Sequence, residues 1–236
     1  MAAQRSLVSR LSRRMLLEAI NLLSLPLVRR TGDDPSHQVF RLFLDEAGRH
    51  GGRAALELGA RSSTLRHLAP ASMTYVGFDI RPGPHVDVVG DIHELSRHFA
   101  PETFDFVCAV STFEHLAMPW KAVLEINQVM RPGGLLFVST HPAWPPHELP
   151  WDFWRFSAEA FRVLLGPPTG FELLRCAEGI PGVILSLSTD APTRGMHRSA
   201  VHLNVAALAR KIGPAHPGLA WDVRVPDVLA TSYPSG

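Results

Sequence analysis

Ala54-Ala55-Leu56-Glu57-Leu58-Gly59 is an apolar run that closes on an acid and a glycine. A buried strand of a parallel sheet enters a ligand-binding turn in this way. Behind it, Ser62 and Ser63 can cap a following helix through their hydroxyls. A second apolar stretch, Thr74-Tyr75-Val76-Gly77-Phe78-Asp79, ends on an acid about twenty residues after Gly59. A glycine turn followed at that distance by a strand-end acid is the arrangement that seats an adenosine ribose. Val88-Val89-Gly90-Asp91-Ile92 adds a further acid at a strand end.

Working outward, His85–Val89 reads as a strand and Ile92–His98 as a short helix. Phe104–Val110 reads as a fourth strand, almost uniformly apolar, running into Ser111-Thr112-Phe113-Glu114-His115-Leu116. The helix Trp120–Met130 stops at Arg131-Pro132-Gly133-Gly134, and Leu135–Thr140 forms a fifth strand. Helix Ala158–Leu165 and strand Phe171–Glu178 follow, and Val201–Ile212 reads as a last strand or a helix, the strand being favoured. Strands alternating with helices imply an α/β fold, a mostly parallel sheet with helices on both faces. Ligands bind at the carboxyl ends of such strands. Gly59, Asp79, Asp91, Ser111 and His141 all fall there.

The 236 residues, 46% hydrophobic and 19% charged, fit one large α/β domain or two small ones. We expect a single domain over 1–236, with a helical extension at 1–36, a cofactor-binding core at 50–178 and an extended tail at 213–236. Net charge of +1 gives no global field to attract nucleic acid. Residues 1–30 are nevertheless basic, with Arg5, Arg10, Arg13, Arg14, Arg29 and Arg30 against Glu18. Leu7, Leu11, Met15, Ala19 and Leu22 recur there at helical spacing. Three readings are open: an organelle transit peptide, an interfacial amphipathic helix, or a helix that packs over the domain. Met15–Val28 is short and broken by Glu18, Asn21 and Pro26, so no stable membrane insertion is expected. Cys108 and Cys176 both fall in expected strands, as reduced thiols of a cytoplasmic protein do.

From His141 to Trp154 the composition changes to four prolines and three tryptophans with no usable period. This reads as an ordered loop leaving the fifth strand beside the ligand site, with flat apolar surface for one wall of a substrate pocket. Trp144, His147, Trp151 and Arg155 are its candidate substrate-binding residues. Arg155 either anchors an anionic or carbonyl group of the substrate or pairs with Asp152 or Glu159.

These residues resemble the class I S-adenosylmethionine-dependent methyltransferases, in their small-molecule branch. The matching stretches are Leu56-Glu57-Leu58-Gly59, Val76-Gly77-Phe78-Asp79, Gly90-Asp91-Ile92, Phe104-Asp105-Phe106-Val107, Phe113-Glu114-His115-Leu116 and Arg131-Pro132-Gly133-Gly134. Trp151-Asp152-Phe153-Trp154-Arg155-Phe156-Ser157 resembles a segment of one subgroup. The resemblance implies a Rossmann-like three-layer sandwich whose seven-stranded sheet has an antiparallel last strand. It implies S-adenosyl-L-methionine as cofactor, with Glu57, Gly59, Arg61, Asp79, Ile80, Asp91, Ile92 and Ser111 around it. Gly59 would let the backbone approach the methionine part, Asp79 would take both ribose hydroxyls, and Asp91 would meet the adenine amino group with Ile92 against the ring. Arg61 and Ser63 stand where the family often has further glycines; they either narrow the turn or let Arg61 reach the cofactor carboxylate.

His115 and His141 are the candidate catalytic residues, since a near-neutral pKa suits a group that deprotonates a substrate hydroxyl. His115 can equally cap or pack the helix that follows. His93 and His98 stand five apart rather than the four that share a helical face in zinc proteases, and the cysteines lack zinc-finger spacing. No metal site is expected on that basis. The expected partner is a small molecule, such as a secondary metabolite, methylated on oxygen or nitrogen; self-association as a homodimer is compatible with this. A non-catalytic cofactor-binding subunit is the alternative. A Rossmann oxidoreductase would need a fuller Gly-x-Gly-x-x-Gly turn.

Overall fold

The computed structural model describes residues 34–49, 53–62, 64–184 and 199–233, with Met15, Glu18, Ala19 and Pro192 besides. Residues Met1–Asp33 and Asp34–Gly236 form two compact units. In the first, Met15, Glu18 and Ala19 are helical and exposed. The transit-peptide, interfacial and packing readings of this segment rest on residues outside those described. So do Gly51-Gly52, Ser63 and much of the turn-rich stretch before Ser199. Among the described residues no helix is long and apolar enough to cross a membrane.

The second unit begins with helix α1 (Pro35–Arg49), followed by strands β1 (Ala54–Leu58), β2 (Thr74–Asp79), β3 (Val88–Val89) and β4 (Phe104–Val110). Helix α2 (Pro119–Val129), strand β5 (Met130–Thr140), helix α3 (Ala158–Leu164), strands β6 (Phe171–Ile184) and β7 (Ser199–Lys211), and a short helix α4 (Val225–Val228) complete it. The sheet order is β3-β2-β1-β4-β5-β7-β6. β7 is antiparallel to β5 on one side and to β6 on the other, so β6 runs with the parallel set. The expected seven-stranded, mostly parallel sheet with an antiparallel last strand is what forms.

Successive residues of the central strands serve opposite faces, as the pleat requires. Leu56, Val107 and Leu136 join a core with Ile126, Val129, Phe161 and Phe171 on one face. Ala55, Phe106 and Phe137 join Val39, Phe43 and Ala47 of α1 on the other. This burial on both faces is why the strands read as continuous apolar runs. Val39, Phe43 and Ala47 stand four apart, one stripe of a helix, and Phe43 stacks on Phe137 at 5.5 Å. Full burial of one such side chain contributes about 1.5–3 kcal/mol.

The structure departs from expectation mainly between β1 and β4. Among the described residues no α-helix follows Gly59; Arg66–Leu68 is a single 3₁₀ turn. Glu57 explains this, because its carboxylate accepts the Thr64 hydroxyl at 2.7 Å and the Leu65 N–H at 3.0 Å. The chain is thereby held in a turn, and Pro70 lies too close behind for a helix to develop. β3 is shorter than the expected His85–Val89. Asp87 turns its side chain onto the Gly77 N–H at 2.7 Å, and Val86 closes a turn onto Gly83. Ile92–Arg97 is 3₁₀ rather than α, broken at Glu94. β5 begins early, at Met130 opposite Phe104, and passes through an irregular stretch with Gly133 at φ 79° before regular pairing resumes. β6 runs on to Ile184, paired with Ser199. The tail is not wholly extended: it carries a turn at Pro217–Leu219 and α4, whose Val225 is buried beside Met118 and Trp151.

Candidate active site

At the carboxyl ends of β1 and β4 the chain is locked in place. Gly59 has φ 84°, and a Cβ there would lie 2.2 Å from Thr112 Oγ1. The Thr112 hydroxyl in turn reaches the carbonyls of Leu58 at 3.2 Å and Val110 at 3.0 Å. Only glycine meets both the left-handed backbone and the close approach. Ser111 also holds positive φ, 48°, at the point where the chain leaves the sheet. Between these turns and the loops opposite lies an open cleft, the position expected of a ligand site in such a sheet. Gly59, Arg61, Asp79, Ile80, Asp91, Ile92, Ser111, His115 and Trp151, all named from the sequence, line it.

Asp79 is nearly buried and its two carboxylate oxygens separate their duties. Oδ2 accepts the Arg61 N–H at 3.1 Å and Oδ1 the Arg81 N–H at 3.0 Å. Asp79 lines the cleft, and each oxygen keeps acceptor capacity beyond its one main-chain bond, as two vicinal hydroxyls would need. Asp91, two residues beyond β3, lines the same cleft. Burial alone would raise its pKa, but hydrogen bonds from the ring and main chain of His93, with the positive charge of Lys121, hold it below the usual carboxylate value. Ile80 and Ile92 supply apolar wall between the acids. A ribose on Asp79 and an adenine against Ile92 and Asp91 fit this donor and wall set.

His115 forms the wall at the other end. Its Nδ1–H donates to the Trp151 carbonyl at 2.5 Å, which leaves Nε2 with a lone pair. Trp151 is 4% exposed, and its Nε1–H has no partner among the described residues. Over this end lies Tyr233 from the tail. Its hydroxyl bonds Glu148, its carbonyl accepts Arg81 at 3.1 Å, and the Arg61 and Arg81 guanidinium groups sit 5.8 and 5.6 Å from its ring centre. Arg61 also faces Glu148 Oε1 at 3.5 Å.

Five residues named from the sequence stand away from the cleft lining. Glu57 is buried under the turn it organises, where it also receives the Tyr75 hydroxyl at 3.0 Å. His141 donates through Nδ1 to the Leu203 carbonyl at 3.1 Å, with Nε2 3.3 Å from Ser111 Oγ, and its ring stacks on Trp144 at 4.4 Å. His147 receives its main-chain order from Asp152, which accepts its N–H at 2.9 Å. Arg155 makes a two-pronged ion pair with Asp152 at 2.6 and 2.7 Å and donates to the carbonyls of Trp144, Pro145 and Trp154. That is the structural pair weighed above, and it clamps the loop on which Trp144 and His147 ride. Conversely, His93, Thr112, Glu148 and Tyr233 line the cleft without having been named for it. His93 carried a signal, its place two residues after Asp91; Tyr233 carried none, since its role depends on where the tail crosses.

A family described as methyltransferase domain matches residues 56–138, the stretch from β1 to β5 that carries Gly59, Asp79, Asp91 and His115. No curated protein matches the chain. Among solved structures, a SAM-dependent methyltransferase from Archaeoglobus fulgidus is similar at 16% identity and TM-score 0.52, over 72% of this chain and 94% of that one. Another from Aquifex aeolicus is similar at 17% identity and TM-score 0.50, over 76% and 94%. The [4+2]-cyclase SpnF shares the fold at 17% identity and TM-score 0.51, over 75% and 80%. Over residues 56–138 the family match, the strand order and the placement of the acids agree on a methyltransferase domain of the kind that uses S-adenosylmethionine.

Proposed function

We propose that the protein transfers a methyl group to an oxygen or nitrogen of a small molecule in the cytoplasm. The observation that carries this reading is His115: its Nδ1–H is tied to the Trp151 carbonyl, and its basic Nε2 is left at the cleft wall. When bound, S-adenosylmethionine supplies an electrophilic methyl carbon on a sulfonium sulfur. Asp79 would hold the ribose hydroxyls, Asp91 the adenine amino group, and Arg61 the cofactor carboxylate. Such binding fixes the line along which a nucleophile must approach, which is most of what a methyl transfer needs. As the nucleophile bonds to carbon and the carbon–sulfur bond breaks, His115 Nε2 would take the proton that the nucleophile sheds. Trp151 and Tyr233 cover the cleft and exclude water from it.

The same fold in a [4+2]-cyclase supports keeping a second reading, in which the cofactor is bound but no methyl is moved. Incubation with S-adenosylmethionine and a panel of small phenols, carboxylic acids and amines tests the choice, with the demethylated cofactor as readout. Turnover with at least one class, lowered in His115→Ala, is the expected result. Tight cofactor binding with no turnover across the panel would favour the cyclase-like or partner-subunit reading.

A further inference from the structure

We propose that Glu114, His115 and His147 form a binding site for a divalent transition-metal ion beside the cleft, at the wall to which His115 contributes. Each offers one ligand atom, and the three atoms lie within 4.8 Å of one another. Bonds of about 2.0–2.2 Å to a shared ion bring donors to roughly 3–3.5 Å apart. The contraction is small, and His147, on a loop and 30% exposed, has the freedom to supply it.

Glu114 is the second, independent observation. It is fully buried, its Oε2 accepts the Thr140 hydroxyl at 2.6 Å, and its Oε1 has no hydrogen-bond partner among the described residues. A buried carboxylate oxygen is costly unless it is paired or coordinates a metal. His141 Nε2 lies 3.4 Å from it. That ring already donates through Nδ1 to the Leu203 carbonyl, and its Nε2 shares the Ser111 hydroxyl. A Glu114–His141 ion pair is therefore the rival account of the same carboxylate.

The histidines carry the outer arrangement of metal ligands. His115 donates Nδ1–H to the Trp151 carbonyl at 2.5 Å, and His147 Nδ1 lies 3.2 Å from the Pro145 carbonyl and 3.4 Å from Asp152 Oδ2. A main-chain carbonyl or carboxylate on one ring nitrogen fixes the tautomer and leaves the other as ligand. The rings of His115 and His147 meet edge to face at 4.8 Å. One carboxylate and two imidazoles with open positions suit zinc, iron(II), manganese or cobalt, and not calcium or magnesium. Spacing in the sequence could not show this, because Glu114 and His115 leave β4 while His147 arrives on the loop after β5.

The consequence for substrate rests on the methyl-transfer reading. An open position on the ion would take a substrate hydroxyl and lower its pKa, as zinc does for bound water. The hydroxyl proton would pass to solvent, and the His115 lone pair would act through the ion instead of directly. A hydroxyl flanked by a second oxygen donor is then the favoured substrate class.

Cobalt(II) titrated into the full, chelator-treated chain tests the site, read by calorimetry and by the visible ligand-field bands. One equivalent should bind saturably. His115→Ala and His147→Ala should each weaken it by about 100-fold or more, since losing even an outer partner costs 10–100-fold. His202→Ala, on the surface beside Glu178, should leave it unchanged. No saturable binding, or binding indifferent to His147→Ala, would overturn the site and leave the Glu114–His141 pair as the account. His147 sits on a partly exposed loop, so its variant folds even where a change at Glu114 would not. S-adenosylmethionine binding by the metal-free protein is measured alongside, so that loss of the metal site and loss of the methyl-transfer reading are told apart.

Discussion

His93 donates its ring Nδ1–H to Asp91 Oδ1 at 2.6 Å, while its Nε2 accepts the Met118 main-chain N–H at 3.2 Å. Both nitrogens are committed, one as donor and one as acceptor, which defines a neutral imidazole in a single tautomer. The ring is 1% exposed. Asp91 is thereby aimed by a buried group that itself hangs from the start of α2. His93→Phe, which keeps the volume but removes both hydrogen bonds, should weaken S-adenosylmethionine binding by about 5–30-fold, or 1–2 kcal/mol. Calorimetry finding unchanged affinity would remove His93 from the site.

Asp79→Ala should cost about 1–3 kcal/mol in cofactor binding, because two hydroxyls lose a charged acceptor. It should also lower stability, since the Arg61 and Arg81 N–H groups lose their acceptor in the free protein. Thermal melts with and without cofactor separate the two losses. An equal fall in both would mean that Asp79 serves only the turns.

Gly59→Ala combines a left-handed backbone with a Cβ 2.2 Å from Thr112 Oγ1. Strain of about 1–3 kcal/mol is expected from the backbone alone. The variant should melt lower than wild type and lose cofactor binding, and Thr112→Ser in the same chain should not restore it because Oγ1 remains. Normal cofactor affinity in Gly59→Ala would contradict the fit described for this turn.

The Asp152–Arg155 pair gives a pH dependence of known sign. The Arg155 hydrogen bonds, followed by the His147 N–H, hold the Asp152 carboxyl well below the ordinary range despite the opposing effect of burial. A depressed carboxylate stabilises the fold above its unfolded pKa, about 3.9, and loses that contribution as pH falls below it. The melting-point gap between wild type and Asp152→Asn should be constant from about pH 5 to 8 and close below about pH 4. A gap that widens in acid would refute the pairing. Arg155→Lys should fail to restore the loop, because an ammonium cannot hold two carboxylate oxygens and the Trp144, Pro145 and Trp154 carbonyls together.

Burial pushes the Cys108 thiol up to about 12 and that of Cys176 to about 11. Neither forms an appreciable thiolate near neutrality, so both should resist iodoacetamide at pH 8 until the protein is unfolded. Rapid labelling of Cys108 in native protein would show that β4 opens far more readily than its burial implies.

The strands and the cleft acids were legible because each is a local signal. Leu56, Val107 and Leu136 face one core and Ala55, Phe106 and Phe137 the other, so a parallel strand buried on both sides must be written as an apolar run. Chain direction then places Asp79, Asp91 and Ser111 at one edge without further information. The missing helix after Gly59 was not legible, since nothing in Ser62 or Thr64 reveals that Glu57 would bind the turn from beneath.

What the sequence by itself determined is the sheet, its direction and the edge at which ligands meet it, because periodicity and strand-end residues report the surroundings of short segments. Tertiary structure alone decided which side chains from distant segments share that edge. Tyr233 lies over Arg61 and Arg81, Arg155 clamps its own loop through Asp152, and His147 comes to rest against His115 and Glu114. Each of these meetings depends on where a loop or tail crosses the finished surface. That path is set by the sum of many weak long-range contacts and not by any pattern along the chain.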